Sequence, residues 1–240
     1  MQQPCRSVVT AAMDMSLSRR GLIAAGLALP LLGLTGCATR LGDLLDLEGA
    51  IRRLLTLSSQ RAFARLLADE AFFRDDLARI ELPPQLGGSQ ITRALAIALG
   101  TRAVQERLLR VVNEAAAEGA ERAAPVVYDS IRDMPIADAV SIVRGGPTAA
   151  TDHLARSVGE RIFDAIFPEV GEALRLAETG VVQRVLQVAT GINFAGLQAD
   201  VTRKTAAAIY RAIGREEAAI RADPQATGDP VLAGLFRALR

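Results

Sequence analysis

Beyond residue 43, apolar residues recur along most of the chain at three- and four-residue spacing, as one buried face of an α-helix requires. Leu44, Leu47, Ile51, Leu54 and Leu55 define a first helix, and Ser58 or Ser59 reads as the cap of a second segment carrying Phe63, Leu66 and Leu67. Phe72 and Phe73 form an apolar anchor. Ile80-Glu81-Leu82-Pro83-Pro84 is predicted to be extended, because a proline pushes its predecessor out of the helical region. Ile91 to Leu99 make a helix that ends near Gly100, and Val104, Leu108, Val111, Ala115 and Gly119 form the buried stripe of a longer one. Pro125 and Pro135 fit first-turn positions, where a missing N–H costs nothing, so short helices are expected over 125–132 and 135–144. Gly145-Gly146 stops the second of these.

Pro147 opens the next helix, which carries Leu154 and Val158. Phe163, Ile166 and Phe167 lead into Pro168, a predicted break, after which helices are expected over 169–177 and 179–189. Gly191 to Gly196 read as a loop, and Asp200 as the cap of a long helix that reaches about Ala222 with Ile209, Ile213 and Ile220 inside. Asp223-Pro224 ends it. Val231, Leu232, Leu235, Phe236 and Leu239 form a terminal amphipathic helix. No internal repeat and no strand-like alternation is present. The expected fold is all-α: one multi-helix bundle of short and medium helices without a sheet, over residues 47–240.

Composition agrees with this class. Half the residues are hydrophobic, yet only 4% are aromatic and none is Trp, a balance that suits close helix packing rather than a sheet rich in β-branched and aromatic residues.

The N-terminal segment follows another pattern. Arg19 and Arg20 precede an apolar run, Gly21 to Gly33, whose thirteen residues include Pro30. A hydrocarbon core about 30 Å thick needs roughly 20 helical residues, so this run reads as the core of a signal peptide. Leu34-Thr35-Gly36-Cys37 follows it directly and resembles a bacterial lipoprotein cleavage box. Residues 1–36 are thus expected to be removed, Cys37 to be acylated, and 37–46 to act as the tether. Several acyl chains hold a protein firmly where one binds marginally. Ala38, standing where an aspartate would resemble an inner-membrane retention signal, favours the outer membrane facing the periplasm. Ser18-Arg19-Arg20-Gly21-Leu22-Ile23 also resembles a twin-arginine signal without its frequent phenylalanine, which leaves both export routes open. Residues 1–12 look like an over-long start, and Met13 or Met15 would give a more usual leader.

Removing residues 1–36 takes away Arg6, Arg19, Arg20 and Asp14, which leaves 25 basic and 26 acidic side chains. This near neutrality, without a block of like charge, argues against a nucleic-acid partner. Cys5 and Cys37 are the only cysteines. The mature chain can form no internal disulfide, and its 204 residues must rest on a hydrophobic core, for which they suffice.

Asn113-Glu114-Ala115-Ala116, Ala123-Ala124-Pro125, Asp138-Ala139 and Arg144-Gly145-Gly146-Pro147-Thr148-Ala149-Ala150-Thr151, in that order, resemble the proteobacterial family catalogued as domain of unknown function 4197. Ile80 to Leu86, Glu216-Glu217, Ile220-Arg221 and Asp223-Pro224 agree with it, and the resemblance spans Leu47 to Arg240. His153, where an aromatic residue is more usual, and Gln225-Ala226, where an alanine-arginine pair is expected, depart from the pattern. The resemblance implies an exported all-helical domain and supplies no mechanism.

Four groups carry candidate chemistry. Gly145, Gly146 and Thr148 form a candidate anion-binding turn, since a glycine turn entering a helix presents free N–H groups. No P-loop lysine follows, and Pro147 removes one donor, so a plain helix stop and start competes with that reading. Glu114, Glu118 and Glu121 share one side of a helix and would need ligands from a second helix to hold a cation. His153, beside Asp152, is the only histidine and the candidate base of a hydrolase or metal enzyme. Asp138, Arg144 and Glu160 are candidates for ion pairs around the glycine turn. No nucleophile elbow appears, and neither a resident metal nor a cofactor is expected. The leading expectation is a non-catalytic, lipid-anchored module that binds an envelope protein or component. A carrier enclosing an apolar ligand is the alternative.

Overall fold

A computed structural model describes residues 46–68, 70–76, 78–81, 101–176 and 194–238. Its elements are α1 (Leu47–Leu66), α2 (Ala71–Arg74), α3 (Arg102–Asp133), α4 (Ala139–Arg144), α5 (Ala149–Leu176), α6 (Phe194–Ala222), a 3₁₀ turn (Pro224–Thr227) and α7 (Pro230–Ala238). No strand occurs among the described residues, and the all-α expectation holds.

Three of the helices begin where short acidic side chains occupy exposed N–H groups. Asp46 accepts from Gly49 N at 2.9 Å, Asp138 from Ser141 N at 3.0 Å, and Asp229 from Val231 N at 2.9 Å. α3 packs on α5, α5 on α6 and α6 on α1, with α3 closing against α1. The core between them is built from Ile51, Leu54 and Leu55 of α1, Ala116, Ala120 and Ala123 of α3, Ile162 and Ile166 of α5, and Ile209 and Ile213 of α6. α5 and α6 are antiparallel: Thr151 meets Glu217 at one end, and Gln198 reaches the Phe167 carbonyl at 2.6 Å towards the other.

Five predicted boundaries are overturned. α1 runs through Ser58 and Ser59, which are fully buried, and Ser58 Oγ donates to the Leu54 carbonyl at 2.8 Å instead of capping a new segment. Pro125 and Pro168 lie inside α3 and α5, so helices of 32 and 28 residues replace the shorter pieces. Both prolines are exposed, as are Glu121 and Asp164, whose carbonyls lose their partners. Those carbonyls belong to the solvent face, open to water, while the opposite faces keep Ala120, Ala123 and Val127, or Ile166 and Val170, in the core. Asp200 lies within α6, which has begun by Phe194, and Pro135 precedes α4, whose cap is Asp138. The end of α6 at Ala222 and the terminal helix stand as expected. The helices expected at 91–99 and 179–189, and Gly191 to Asn193, lie outside the described residues.

After α1, the backbone of Glu70 takes the left-handed conformation at φ 53°, with its carboxylate held by Arg74 at 2.6 Å and Arg110 at 2.7 Å. The hydrogen bond from Arg110, followed by the charge of Arg74, holds this carboxyl below its usual range. Ile80, at the start of the predicted extended stretch, is gripped by the buried Asn113 amide: Ile80 N donates to Oδ1 at 2.9 Å, and Nδ2 donates to the Ile80 carbonyl at 3.1 Å.

The α3–α5 contact depends on Gly119, where a Cβ would stand 2.8 Å from Ile166 Cγ2 and 3.0 Å from Val170 Cγ2. Gly119→Val is therefore expected to lower stability by about 1–3 kcal/mol in denaturant unfolding. Gly146→Ala, whose Cβ meets nothing within 4 Å, should leave stability close to wild type.

Candidate functional site

The first N–H groups of a helix have no partner within it and carry partial positive charge. At the start of α5 they meet a carboxylate that reaches across from α6. Ala150 N donates to Glu217 Oε1 at 3.0 Å, and Thr151 N and Thr151 Oγ1 each donate to Oε2 at 2.7 Å. Glu217 is wholly buried, and a buried carboxylate is stable only when its lone pairs are matched. Arg221, one turn further along α6, supplies a fourth donor from Nε at 2.8 Å. Its terminal nitrogens donate to the Val143 and Ile142 carbonyls at 2.9 and 3.0 Å, at the C-terminus of α4 where carbonyls lack partners and the dipole is negative. The guanidinium also lies 5.2 Å over the Phe236 ring. One acid-base pair thus occupies the facing ends of α4 and α5.

Gly145, Gly146 and Thr148 form the elbow between those ends. Gly145 N donates to the Ile142 carbonyl at 3.3 Å, closing α4, and Thr148 Oγ1 donates to Asp152 Oδ2 at 3.2 Å. α6 passes close behind because residue 214 is glycine: a Cβ there would stand 3.0 Å from Thr148 Cγ2. On the outer side lies a groove of about 640 Å³, bordered by Arg144, Gly146, Pro147, Ala218, Arg221 and Phe236. The two amides that follow the expected anion turn, those of Ala150 and Thr151, therefore already hold a carboxylate of this chain.

The other candidates are scattered. His153, half-buried on α5, donates from Nε2 to the Pro135 carbonyl at 3.0 Å, which fastens the α3–α4 connection to α5. Glu114, Glu118 and Glu121 are exposed on α3. Partial burial, then the charges of Glu114 and of Glu169 on α5, push the Glu118 carboxyl above its usual range. Arg122 pairs with Glu169 at 2.9 Å. Among the described residues no group of three metal-ligating side chains stands close enough to hold an ion. The ion pairs expected of Asp138, Arg144 and Glu160 are not formed among the described residues: Asp138 is a helix cap, and the pair that fixes these helices is Glu217–Arg221. Arg19, Arg20, Leu34, Thr35, Gly36 and Cys37 lie outside the described residues.

Glu217, Arg221 and Asn113 entered the sequence reading only through the family resemblance. Their periodicity gave a usable signal, since residue 217 falls four after Ile213 and three before Ile220, on the apolar face of α6. An acidic residue on that stripe, followed four positions later by arginine, marks a buried pair.

Over residues 44–237 the chain matches a family model described as "Protein of unknown function (DUF4197)", and the chain belongs to that family. No curated protein and no solved structure matches it.

Glu217→Ala should destabilise the domain by about 3–5 kcal/mol in denaturant unfolding, since Arg221 is left charged and buried beside orphaned helix ends. Glu217→Leu combined with Arg221→Met should recover most of that loss. Glu118→Gln should raise the melting temperature at pH 7. A carboxyl whose pKa is raised on folding destabilises as pH climbs from its ordinary 4.5 through the raised value, so this gain should vanish well below pH 4.5.

Proposed function

We propose that the chain is a lipid-anchored, periplasm-facing helical module that works by binding a protein or another envelope component, held to the outer membrane through acyl groups on Cys37. The binding role rests on how the interior polar side chains are used. Glu217, Arg221, Asn113, Gln198 and His153 each bond to the backbone of another segment and so act as fasteners of the fold. A domain organised in this way offers partners a shaped surface.

The anchor is supported by Leu34-Thr35-Gly36-Cys37 behind Arg19, Arg20 and an apolar run. None of the described helices is long and apolar enough to cross a membrane, and three acyl chains would supply the attachment instead. Residues 38–46 separate Cys37 from α1, and nine residues of chain reach about 30 Å at most. The domain would therefore work close to the bilayer.

Cells grown with an alkyne analogue of palmitate should label the wild-type chain in the outer-membrane fraction and leave Cys37→Ser unlabelled. An unlabelled wild-type chain, or an intact N-terminus in the cytosol, would overturn the anchored reading.

A further inference from the structure

We propose that the groove beside the α4–α5 elbow receives an acidic, apolar-flanked peptide segment of a partner protein, and that Arg144 selects its carboxylate. The proposal rests on the binding role above and names the class of partner.

The groove combines apolar walls with one positive charge that pairs with none of the described residues. Arg144 stands exposed at its rim and pairs with no described residue. Beneath it, the charge of Arg221 is cancelled by Glu217, yet the guanidinium has five N–H groups and three are engaged with Glu217, Val143 and Ile142. The two that remain belong to a side chain that borders the groove. An arginine at the rim with further N–H donors below suits a carboxylate, which a guanidinium binds through paired charge-assisted hydrogen bonds. Pro147, Ala218 and the Phe236 ring supply apolar surface for the neighbouring residues of the same segment.

The shape favours a polypeptide over an enclosed lipid. A volume near 640 Å³ is in the range of ligand clefts, but this one lies along the surface, whereas an acyl chain is held best when surrounded. Gly146 bears no side chain, and a Cβ there would meet nothing within 4 Å, so a strand of backbone can approach closely. The Ile142 and Val143 carbonyls at the end of α4, which would repel a carboxylate, are occupied by Arg221. Two of the motifs that carry the family resemblance, Arg144 to Thr151 and the Ile220-Arg221 pair, meet at this groove.

The same open position provides the test. Gly146→Trp obstructs the groove without entering the core, and Arg144→Gln removes the charge from a residue that is exposed and pairs with none of the described residues. Fluorescence anisotropy would follow a fluorescein-labelled Leu-Asp-Leu-Asp-Ala peptide and its asparagine counterpart against the purified full chain carrying Cys37→Ser, with each groove variant checked for an unchanged melting temperature. The acidic peptide should bind saturably, and should bind about tenfold or more weakly when either variant is used or when asparagine replaces aspartate. 1-Dodecanol, which has an apolar chain and no carboxylate, should not displace it. Equal affinity across the variants, no saturable binding of the acidic peptide, or displacement by 1-dodecanol would overturn the proposal. Membrane attachment plays no part in this titration, so its failure leaves the palmitate result standing, and the converse also holds.

Discussion

The placement of one buried carboxylate governs the arrangement of half the bundle. Glu217 lies in a setting where an isolated charge is untenable. It persists because two amides, a hydroxyl and a guanidinium converge on it from three directions. Each of those donors needed a partner too. The start of α5 has amides without acceptors, the end of α4 has carbonyls without donors, and Arg221 requires both a counter-charge and hydrogen-bond acceptors. The pair resolves all of these demands together, which is why a short helix of six residues can end abruptly at Gly145 and a long one can start four residues after Gly145.

Close approach of the helices is the condition for that geometry. Gly214 brings α6 against Thr148, and Gly119 does the same for α3 against α5. The alanine-rich faces between these points keep the backbones near one another, at distances where a glutamate side chain spans from helix to helix. Larger apolar residues at the same positions would fill the space and hold the carboxylate out of reach. The scarcity of aromatic residues and the buried ion pair are therefore two aspects of one packing solution.

The all-α class, the stripes of α1, α3 and α6, and the end of α6 were legible in the sequence because three- and four-residue apolar spacing is a direct imprint of burial. The long helices were not. Pro125 and Pro168 look like starts and stops when local geometry alone is considered, yet each sits on a solvent face where the freed carbonyl is open to water. Whether a proline faces water or core is settled by which residues lie opposite it in space, a property the linear order only hints at. Ser58 and Asp200 misled for the same reason, since a residue suited to capping is equally able to sit inside a helix that tertiary contacts sustain. Of the site, the Gly145-Gly146 elbow was visible as a turn, whereas the identity of its anion was not. The group that occupies the start of α5 comes from 66 positions away.

That long separation bears on how the chain reaches its native state. α4 and α5 leave the ribosome well before residues 217–221 exist, so the facing ends of these two helices have no counter-group during most of vectorial synthesis. Arg65 awaits Glu216, and Arg53 awaits Asp229, so α1 also lacks its final neighbours until then. Closure of the bundle is delayed until the last stretch of the polypeptide is available, and the nascent chain stays loose for longer than a bundle of locally paired helices would.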